Sequence, residues 1–364
     1  MIGFFDLFAR PLLRALDPEQ AHSLAIKALK LAPRSRPAED DPRLAVHAFG
    51  LKFPNPVGIA AGFDKHGEVP DALLHLGFGS VEIGSVTPLP QPGNPKPRLF
   101  RLEPDQGVIN RLGFNSEGEA AVLARLAARA DRGGIVGINL GANKESRDRG
   151  QDYVHLIERV APLASYISVN ISSPNTPKLR DLQHAAVLDD LLARIVEKRD
   201  LVIDRAGPTP VLLKISPDLS LAQLDDVVGI ARARGIDGMI IGNTTVLRQD
   251  WLRDQKTAKE PGGLSGRPLF PLATRMLAET YVRVEGAFPL VGVGGIDSGK
   301  TALAKIKAGA DLLQVYSSLV FKGLGLIAEI KAELVDALDR GEADELSDLV
   351  GVDAAAMTAE PWPE

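Results

Sequence analysis

A short polar segment at residues 170–175 follows an apolar run and contains the residue types that most clearly indicate chemistry. Its sequence, Asn-Ile-Ser-Ser-Pro-Asn, places amides and hydroxyls where a buried strand is predicted to end. The proline stiffens the turn and removes a backbone donor. Small polar groups that converge at the end of a strand suit recognition of a flat, polar, ring-shaped ligand. An ordinary polar loop with an Asx turn is the alternative interpretation of this segment alone.

Glycine-rich segments and two lysines also lie at the ends of apolar runs. Residues 291–298 end one run and open a helical pattern, so their glycines would let backbone amides approach a phosphate. Residues 262–266 could close the same cradle, although tight turns without a ligand are the alternative. Lys65 and Lys214 are expected to face an anion or an electron-rich ring. A phosphate site, a cation and several asparagines together suggest FMN beside a small polar ring.

The elements that must position these residues repeat eight times along the chain. Apolar, β-branched runs are separated by helical patterns, which predicts an α/β protein with a (β/α)8 TIM barrel. The predicted strands are residues 55–61, 80–86, 135–140, 166–171, 210–215, 238–242, 289–293 and 311–316. The predicted helices are residues 117–131, 182–205, 221–234, 268–284 and 298–308. A doubly wound open sheet is the alternative, but the first predicted strand is not followed by the expected G-x-G-x-x-G turn.

The connection at residues 87–116 is long and rich in proline, glycine and arginine. Long connections in compact domains are usually functional. We therefore interpret it as a small subdomain over the barrel mouth, with a hairpin of its own.

Composition excludes several classes of function. The chain has 364 residues and a net charge of -5, so bulk attraction to nucleic acid is not indicated. Cysteine is absent, which excludes disulfides, thiolate nucleophiles and cysteine-ligated iron–sulfur clusters. The six histidines show no H-x-x-x-H spacing, so we expect no metal site. No apolar segment reaches the roughly 20 residues of a membrane span, and no secretory signal is recognisable, which predicts a cytoplasmic location.

In their order and spacing, these motifs resemble the class 2, quinone-dependent dihydroorotate dehydrogenases. The matching segments are residues 60–65, 82–88, 93–102, 110–115, 170–177, 243–245, 262–268 and 292–298. The resemblance runs from about residue 1 to about residue 340. It implies oxidation of dihydroorotate to orotate in de novo pyrimidine (UMP) biosynthesis, with one FMN per chain and a membrane quinone, ubiquinone or menaquinone, as electron acceptor.

The resemblance also assigns roles to residues. FMN would be bound by Ala60, Ala61, Gly62, Phe63, Asp64, Lys65, Ser85, Asn139, Asn170, Lys214, Gly242, Gly266, Gly295, Tyr316 and Ser317. Dihydroorotate would be bound by Lys65, Asn110, Arg111, Leu112, Gly113, Phe114, Asn170, Asn175, Asn243 and Thr244. Ser173 would be the catalytic base, taking the C5 proton while hydride passes from C6 to flavin N5.

A serine base raises a physical problem, because its hydroxyl is a weak base at neutral pH. No histidine lies near Ser173 in sequence. We therefore expect the proton to leave through water or through hydroxyls such as that of Thr244. In class 2 enzymes the base is serine rather than cysteine, and a chain without cysteine agrees with that.

Residues 1–40 are predicted to form two helices before the barrel at residues 41–340. The first is strongly apolar, and Lys27, Lys30, Arg34 and Arg36 add basic charge to the second, a combination that suits contact with anionic lipid. Two helices packed on the barrel are the alternative. The resemblance favours a quinone tunnel, with polar positions at His22, Arg98, Arg101 and Tyr316, and implies a peripheral protein on the cytoplasmic side of the inner membrane. We expect a monomer.

Two regions depart from the pattern of the family. Lys178 occupies a position beside the Ser173 loop where we expect glycine. Residues 341–364 are acidic and match no expected element, so we predict a mostly disordered tail.

Three alternative functions follow from the sequence. A class 1 enzyme would use cysteine and lack the N-terminal helices. A flavin-free lyase or isomerase would not need the asparagines, and a membrane-associated scaffold would not need the strand-end lysines.

Overall fold

Eight parallel strands form a closed barrel in the computed structural model, which describes residue 11, residues 13–32 and residues 39–363. The barrel strands are β3 (Val57–Ile59), β4 (Ser80–Val86), β7 (Val136–Leu140), β8 (Tyr166–Asn170), β9 (Val211–Ile215), β10 (Gly238–Ile241), β12 (Leu290–Val293) and β13 (Leu312–Val315). Each lies within a predicted strand, so the (β/α)8 fold is confirmed. The strands are almost entirely buried, as expected when helices cover a parallel sheet.

Helices alternate with the barrel strands and pack around them, whereas α1 precedes all of the strands. They are α1 (Pro18–Leu31), α2 (Pro70–His75), α3 (Glu119–Ala127), α4 (Arg149–Val160), α5 (Ala185–Leu201), α6 (Ile203–Ala206), α7 (Leu221–Ala233), α8 (Phe270–Val284), α9 (Gly299–Lys307), α10 (Ser318–Lys322), α11 (Leu326–Asp339) and α12 (Ala354–Ala359). The five predicted helices are confirmed with shifts of a few residues at their ends, except that the predicted helix at residues 182–205 divides at Val202 into α5 and α6. Ser298 caps α9 through the Thr301 amide, as its sequence indicates.

Two small sheets close the two ends of the barrel. The hairpin β1 (Val46–Ala48) and β2 (Leu51–Phe53) packs apolar side chains against the amino-terminal end. At the mouth, β5 (Leu99–Leu102) and β6 (Gly107–Asn110) form an antiparallel hairpin, which confirms the predicted subdomain. Residues 263–266, predicted only as part of a glycine cradle, form β11 (Gly263–Gly266) and add a third strand beside β6.

The second predicted N-terminal helix is present as α1. Asp17 accepts hydrogen bonds from the Glu19 and Gln20 amides, and Pro18 occupies the first turn, as their order in the sequence indicates. The first predicted helix lies outside the described residues except for residue 11 and residues 13–16, of which 11 and 13–15 are helical. Within the described part of the chain, no helix is long and apolar enough to cross a membrane.

The carboxyl-terminal segment differs from the disordered tail that its composition predicts. Helix α12 packs on α8, and Ala354 is buried together with Leu346 and Leu349 of a 3-10 turn at Leu346–Leu349. The Tyr281 hydroxyl donates to the Val350 carbonyl at 3.2 Å. Because acidic residues dominate the composition of this segment, its few apolar residues do not stand out in the sequence. These apolar residues are buried, while most of the charged side chains stay in solvent.

Candidate active site

A cavity of about 890 Å³ occupies the carboxyl end of the barrel. Its walls come from the strand-end loops, the β5–β6–β11 subdomain and α1. This volume lies in the range expected for a bound cofactor with a small substrate. The cavity has a polar end on the barrel strands and an apolar end beneath α1.

Asn170 is the centre of the polar end. Its side-chain oxygen accepts from the Ser172 hydroxyl at 2.8 Å and from the Asn243 amide at 3.3 Å. Its amide group donates to Asn139 at 3.1 Å and to Ser85 at 3.3 Å. One side chain therefore joins residues at or just after the carboxyl ends of four strands, β4, β7, β8 and β10, which holds the polar end in a single arrangement.

Ser173 lines the cavity and is only 6% exposed. Its hydroxyl accepts from the Asn175 amide nitrogen at 3.3 Å, and the Asn175 side chain donates to Asn110 of the subdomain at 3.0 Å. Among the described residues, no histidine or carboxylate is hydrogen-bonded to Ser173. The buried hydroxyls of Thr176 and Thr244 have no hydrogen-bond partner in the described structure.

Two lysines supply positive charge to the cavity. Lys65 Nζ donates to the Gly62 carbonyl at 2.6 Å, and burial lowers its pKa to about 8. Lys214 lies 3.6 Å from the fully buried carboxylate of Glu82. Glu82 also accepts from Gln314 at 2.7 Å and from Asn139 at 2.9 Å. Lys214 is therefore held at the bottom of the cavity by the Glu82 carboxylate, which also accepts hydrogen bonds from Gln314 and Asn139.

Glycines form a cradle that suits a phosphate. Gly294, Gly295 and Gly266 line the cavity with φ values of 95°, 77° and 85°, which side chains rarely adopt. A side chain at Gly295 would come within 2.4 Å of Phe270, and one at Gly266 within 2.4 Å of the Gln106 carbonyl. The residues present therefore fit FMN.

The apolar end lies between α1 and the barrel. His22 of α1 packs edge-on against Phe63, with ring centroids 5.4 Å apart, and lies 6.4 Å from the Tyr316 ring. Burial and the neighbouring Lys65 charge lower the pKa of His22 to about 3, so its imidazole is neutral at pH 7. Alanine and leucine side chains of α1 complete this wall, which suits an apolar ligand with a polar ring.

Most of the residues singled out from the sequence line this cavity. They are Ala60, Ala61, Gly62, Phe63, Lys65, Ser85, Asn110, Leu112, Gly113, Phe114, Asn170, Ser173, Asn175, Lys214, Gly242, Asn243, Thr244, Gly266, Gly295, Tyr316 and Ser317, together with His22 and Arg101.

Four of the predicted site residues are not among the lining residues. Asp64 accepts from the Glu68 and Val69 amides, and Asn139 lies beneath Ser85 and Asn170. Arg111 pairs with Glu260 at 2.7 Å and lies over the Phe100 ring. Arg98 binds the carboxylate of Glu19 at 2.7 Å and the carbonyls of Pro92 and Asn94. These four residues position their neighbours.

Sequence reasoning missed several residues at or behind the cavity wall, of which Gln314 lines the cavity. Glu82 and Gln314 lie inside predicted strands, and a polar residue within an apolar run is a usable signal for a buried network. Arg180 begins a 3-10 turn (Arg180–Gln183) and Asp218 lies in the loop after β9, where charged residues are ordinary, so no sequence pattern distinguishes them.

Fold and site together define a barrel protein that can hold a phosphorylated cofactor, a polar ring and an apolar ligand in one continuous cavity. The family model for dihydroorotate dehydrogenase matches residues 43–338. The chain is 67% identical over 363 residues to dihydroorotate dehydrogenase (quinone) of Bradyrhizobium diazoefficiens, with 100% of both chains covered. It is 66% identical over the same length to the protein of that name from Rhodopseudomonas palustris.

Solved structures agree with this similarity. The DHODH of Eimeria tenella in complex with ferulenol superposes with a TM-score of 0.88 at 36% identity, covering 93% of this chain and 96% of that one. The chain therefore belongs to the dihydroorotate dehydrogenase family.

Proposed function

We propose that this chain oxidises dihydroorotate to orotate in pyrimidine biosynthesis, using FMN and a membrane quinone. The observation that carries the proposal is the single cavity that joins a polar, hydrogen-bonded end to an apolar end beneath α1. A polar ring and an apolar electron acceptor can both reach the same cofactor there. Full-length identity of 67% to a quinone-dependent relative supports it.

The polar end binds and orients the substrate. Asn110, Asn175, Asn243 and Thr244 supply donors and acceptors around a planar ring, and the Lys65 ammonium attracts its carboxylate. The subdomain covers the ring through the Asn175–Asn110 bond at 3.0 Å, which limits access of water. These contacts hold C5 of the substrate toward Ser173.

Ser173 removes the C5 proton. Its hydroxyl needs an outlet for its own proton, because no histidine is bonded to it in the described structure. The unpartnered hydroxyls of Thr176 and Thr244 are the candidate outlets on the protein side. Thr244→Val and Thr176→Val should each slow flavin reduction, more at low pH than at high pH.

FMN, once bound, would accept the hydride and pass the electrons on to the quinone. The chain would hold it by Lys214 and Asn170 at the ring and by Gly266, Gly294, Gly295 and Ser317 at the phosphate. A side chain at Gly294 or Gly295 would collide with Ala273 or Phe270 of α8, so both positions require glycine.

The apolar end receives the quinone. Neutral His22 can donate or accept a hydrogen bond without adding charge to an apolar pocket, and Arg101 reaches the same wall. Arg98 acts one step away, because it holds Glu19 of α1 rather than lining the cavity. The exposed Leu24 and Leu31 of α1 would contact the cytoplasmic face of the membrane, with the protein bound peripherally as a monomer.

The test is a visible spectrum of the purified protein under anaerobic conditions. Dihydroorotate should bleach the flavin bands, and a ubiquinone analogue should restore them. Ser173→Ala should retain the flavin but slow bleaching by about 10²- to 10⁴-fold, the usual contribution of a general base. Ser347→Ala, an exposed serine far from the cavity, is the control. Wild-type bleaching by Ser173→Ala would refute the role of Ser173, and a protein that never binds FMN would refute the function.

A further inference from the structure

Arg180 joins two loops of the candidate active site without lining the cavity. Its Nε donates to the Ser172 carbonyl at 3.0 Å, next to Ser173, and one terminal nitrogen donates to the Thr244 carbonyl at 3.0 Å. The other terminal nitrogen donates to Asp218 at 2.7 Å. All three guanidinium nitrogens are therefore engaged in one orientation.

Asp218 extends the contact to a third loop. It follows β9, while Ser172 follows β8 and Thr244 follows β10. Its carboxylate accepts from the Thr245 hydroxyl and from the Val246 amide, the latter at 3.0 Å. The pair thus connects the loops that follow three consecutive barrel strands.

The surroundings of the pair are mostly buried and hydrogen-bonded. Gln183 and Ser216 are 5% and 1% exposed, and the Ser216 amide donates to Gln183 at 3.0 Å. The side chains of Arg180 and Asp218 keep 23% and 12% exposure. A pair of this kind fixes geometry more than it adds net stability, since desolvation offsets much of its attraction.

We infer that Arg180 and Asp218 are positioning residues for the reaction: the pair holds Ser173 and Thr244 at the spacing needed for proton removal. This inference rests on the proposed role of Ser173. A misplacement of about 1 Å at a reacting group can cost about 10²-fold in rate. Lysine cannot replace the guanidinium, because a single ammonium cannot reach three acceptors in the directions of a planar fork.

The first experiment measures flavin reduction by dihydroorotate in anaerobic stopped flow. Arg180→Lys should slow it by about tenfold and Arg180→Met by about 10²-fold, with FMN content unchanged. Orotate affinity should fall less than the rate, because most ring contacts come from other residues. Arg234 pairs with Asp189 on the surface through Nε and one terminal nitrogen, so Arg234→Lys and Arg234→Met are the matched controls and should reduce flavin normally.

The second experiment asks whether Arg180 acts through Ser173. In a Ser173→Ala background, Arg180→Met should slow flavin reduction by less than about threefold, since its target is already removed. An equal loss in both backgrounds would mean a general structural effect and would overturn the inference. If Arg180→Met does not fold, Asp218→Asn tests the same coupling. It should slow flavin reduction by about tenfold when Ser173 is present but not in the Ser173→Ala background.

The two proposals fail in different ways. Wild-type reduction by Ser173→Ala refutes the serine base, and with it this inference. A slow Ser173→Ala together with wild-type rates for Arg180→Lys and Asp218→Asn refutes the positioning pair alone.

Discussion

The two ends of the cavity are built on different principles. At the polar end, side chains bond to one another, so Asn170, Asn139, Ser85 and Asn243 form a network that is fixed by the strands beneath it. At the apolar end, helix α1 lies over the barrel as a cover, and two of its residues, Ala21 and Ile26, are buried. A rigid end suits proton and hydride chemistry, which depends on geometry, and a loosely packed cover suits passage of an apolar ligand.

A few charged contacts connect the cover to the rest of the protein. Glu19 of α1 binds Arg98, and Arg101 donates to the carbonyls of Arg14 and Leu16 at 2.8 and 3.0 Å. Lys30 pairs with Glu68. The cover can therefore be perturbed without disturbing the strands, which makes the two ends separable by experiment.

The largest expected effect comes from removing the cover altogether. A chain that begins at Asp40 should lose reduction of a ubiquinone analogue by about 10²-fold or more, together with vesicle binding, because the apolar wall is gone. Dihydroorotate oxidation with a soluble dye should persist, since the polar end stands on the barrel. Steady-state assays with both acceptors check this. Loss of both activities with FMN retained would contradict the separation of the two ends.

Raising the pH above 8 should weaken orotate binding at the polar end by about tenfold per pH unit. The pKa of Lys65 is lowered to about 8 by burial, so its ammonium is present below pH 8 and is lost as the pH rises through that value. Orotate should therefore bind progressively more weakly above pH 8, as measured by flavin absorbance changes. Lys65→Arg stays charged and should show a flat profile over the same range. Identical slopes for both proteins would assign the titration elsewhere.

Breaking the contact between cover and subdomain should have a smaller effect. Glu19→Gln removes the charged partner of Arg98, which is 6% exposed, and leaves it with the carbonyls of Pro92 and Asn94. We expect the KM for a quinone to rise about three- to tenfold, in line with the loss of a partly buried charged hydrogen bond. Dye-coupled turnover should not change. Glu158→Gln, which breaks a surface pair with Lys198, is the control.

The smallest expected effect is on stability at the polar end. Lys178 has a φ of 58°, a left-handed conformation that favours glycine, which explains why glycine is expected there. Lys178→Gly should raise the free energy of unfolding by about 0.5–1 kcal/mol, whereas Lys178→Ala should not, because alanine keeps the backbone strain. Thermal unfolding compares the two. Equal melting temperatures for both variants would mean that the strain is relieved in another way.

The barrel and most of its mouth can be predicted from the sequence. Eight apolar runs end in polar residues, and the closed parallel sheet brings those ends together, so residues as distant as Ser85 and Asn243 could be grouped without coordinates. The caps at Asp17 and Ser298 were equally readable, because they depend on neighbours within four residues.

The roles of the remaining residues depend on contacts that form only in the folded chain. Arg98 and Arg111 do not line the cavity because they form salt bridges with Glu19 and Glu260, which are distant in sequence. The tail is ordered because Leu346 and Leu349 find an apolar surface near α8, although its composition favours disorder. Arg180 gains a role only when three loops meet. Local patterns specify elements and their ends, whereas the partner of a long charged side chain depends on contacts that only the closed barrel creates.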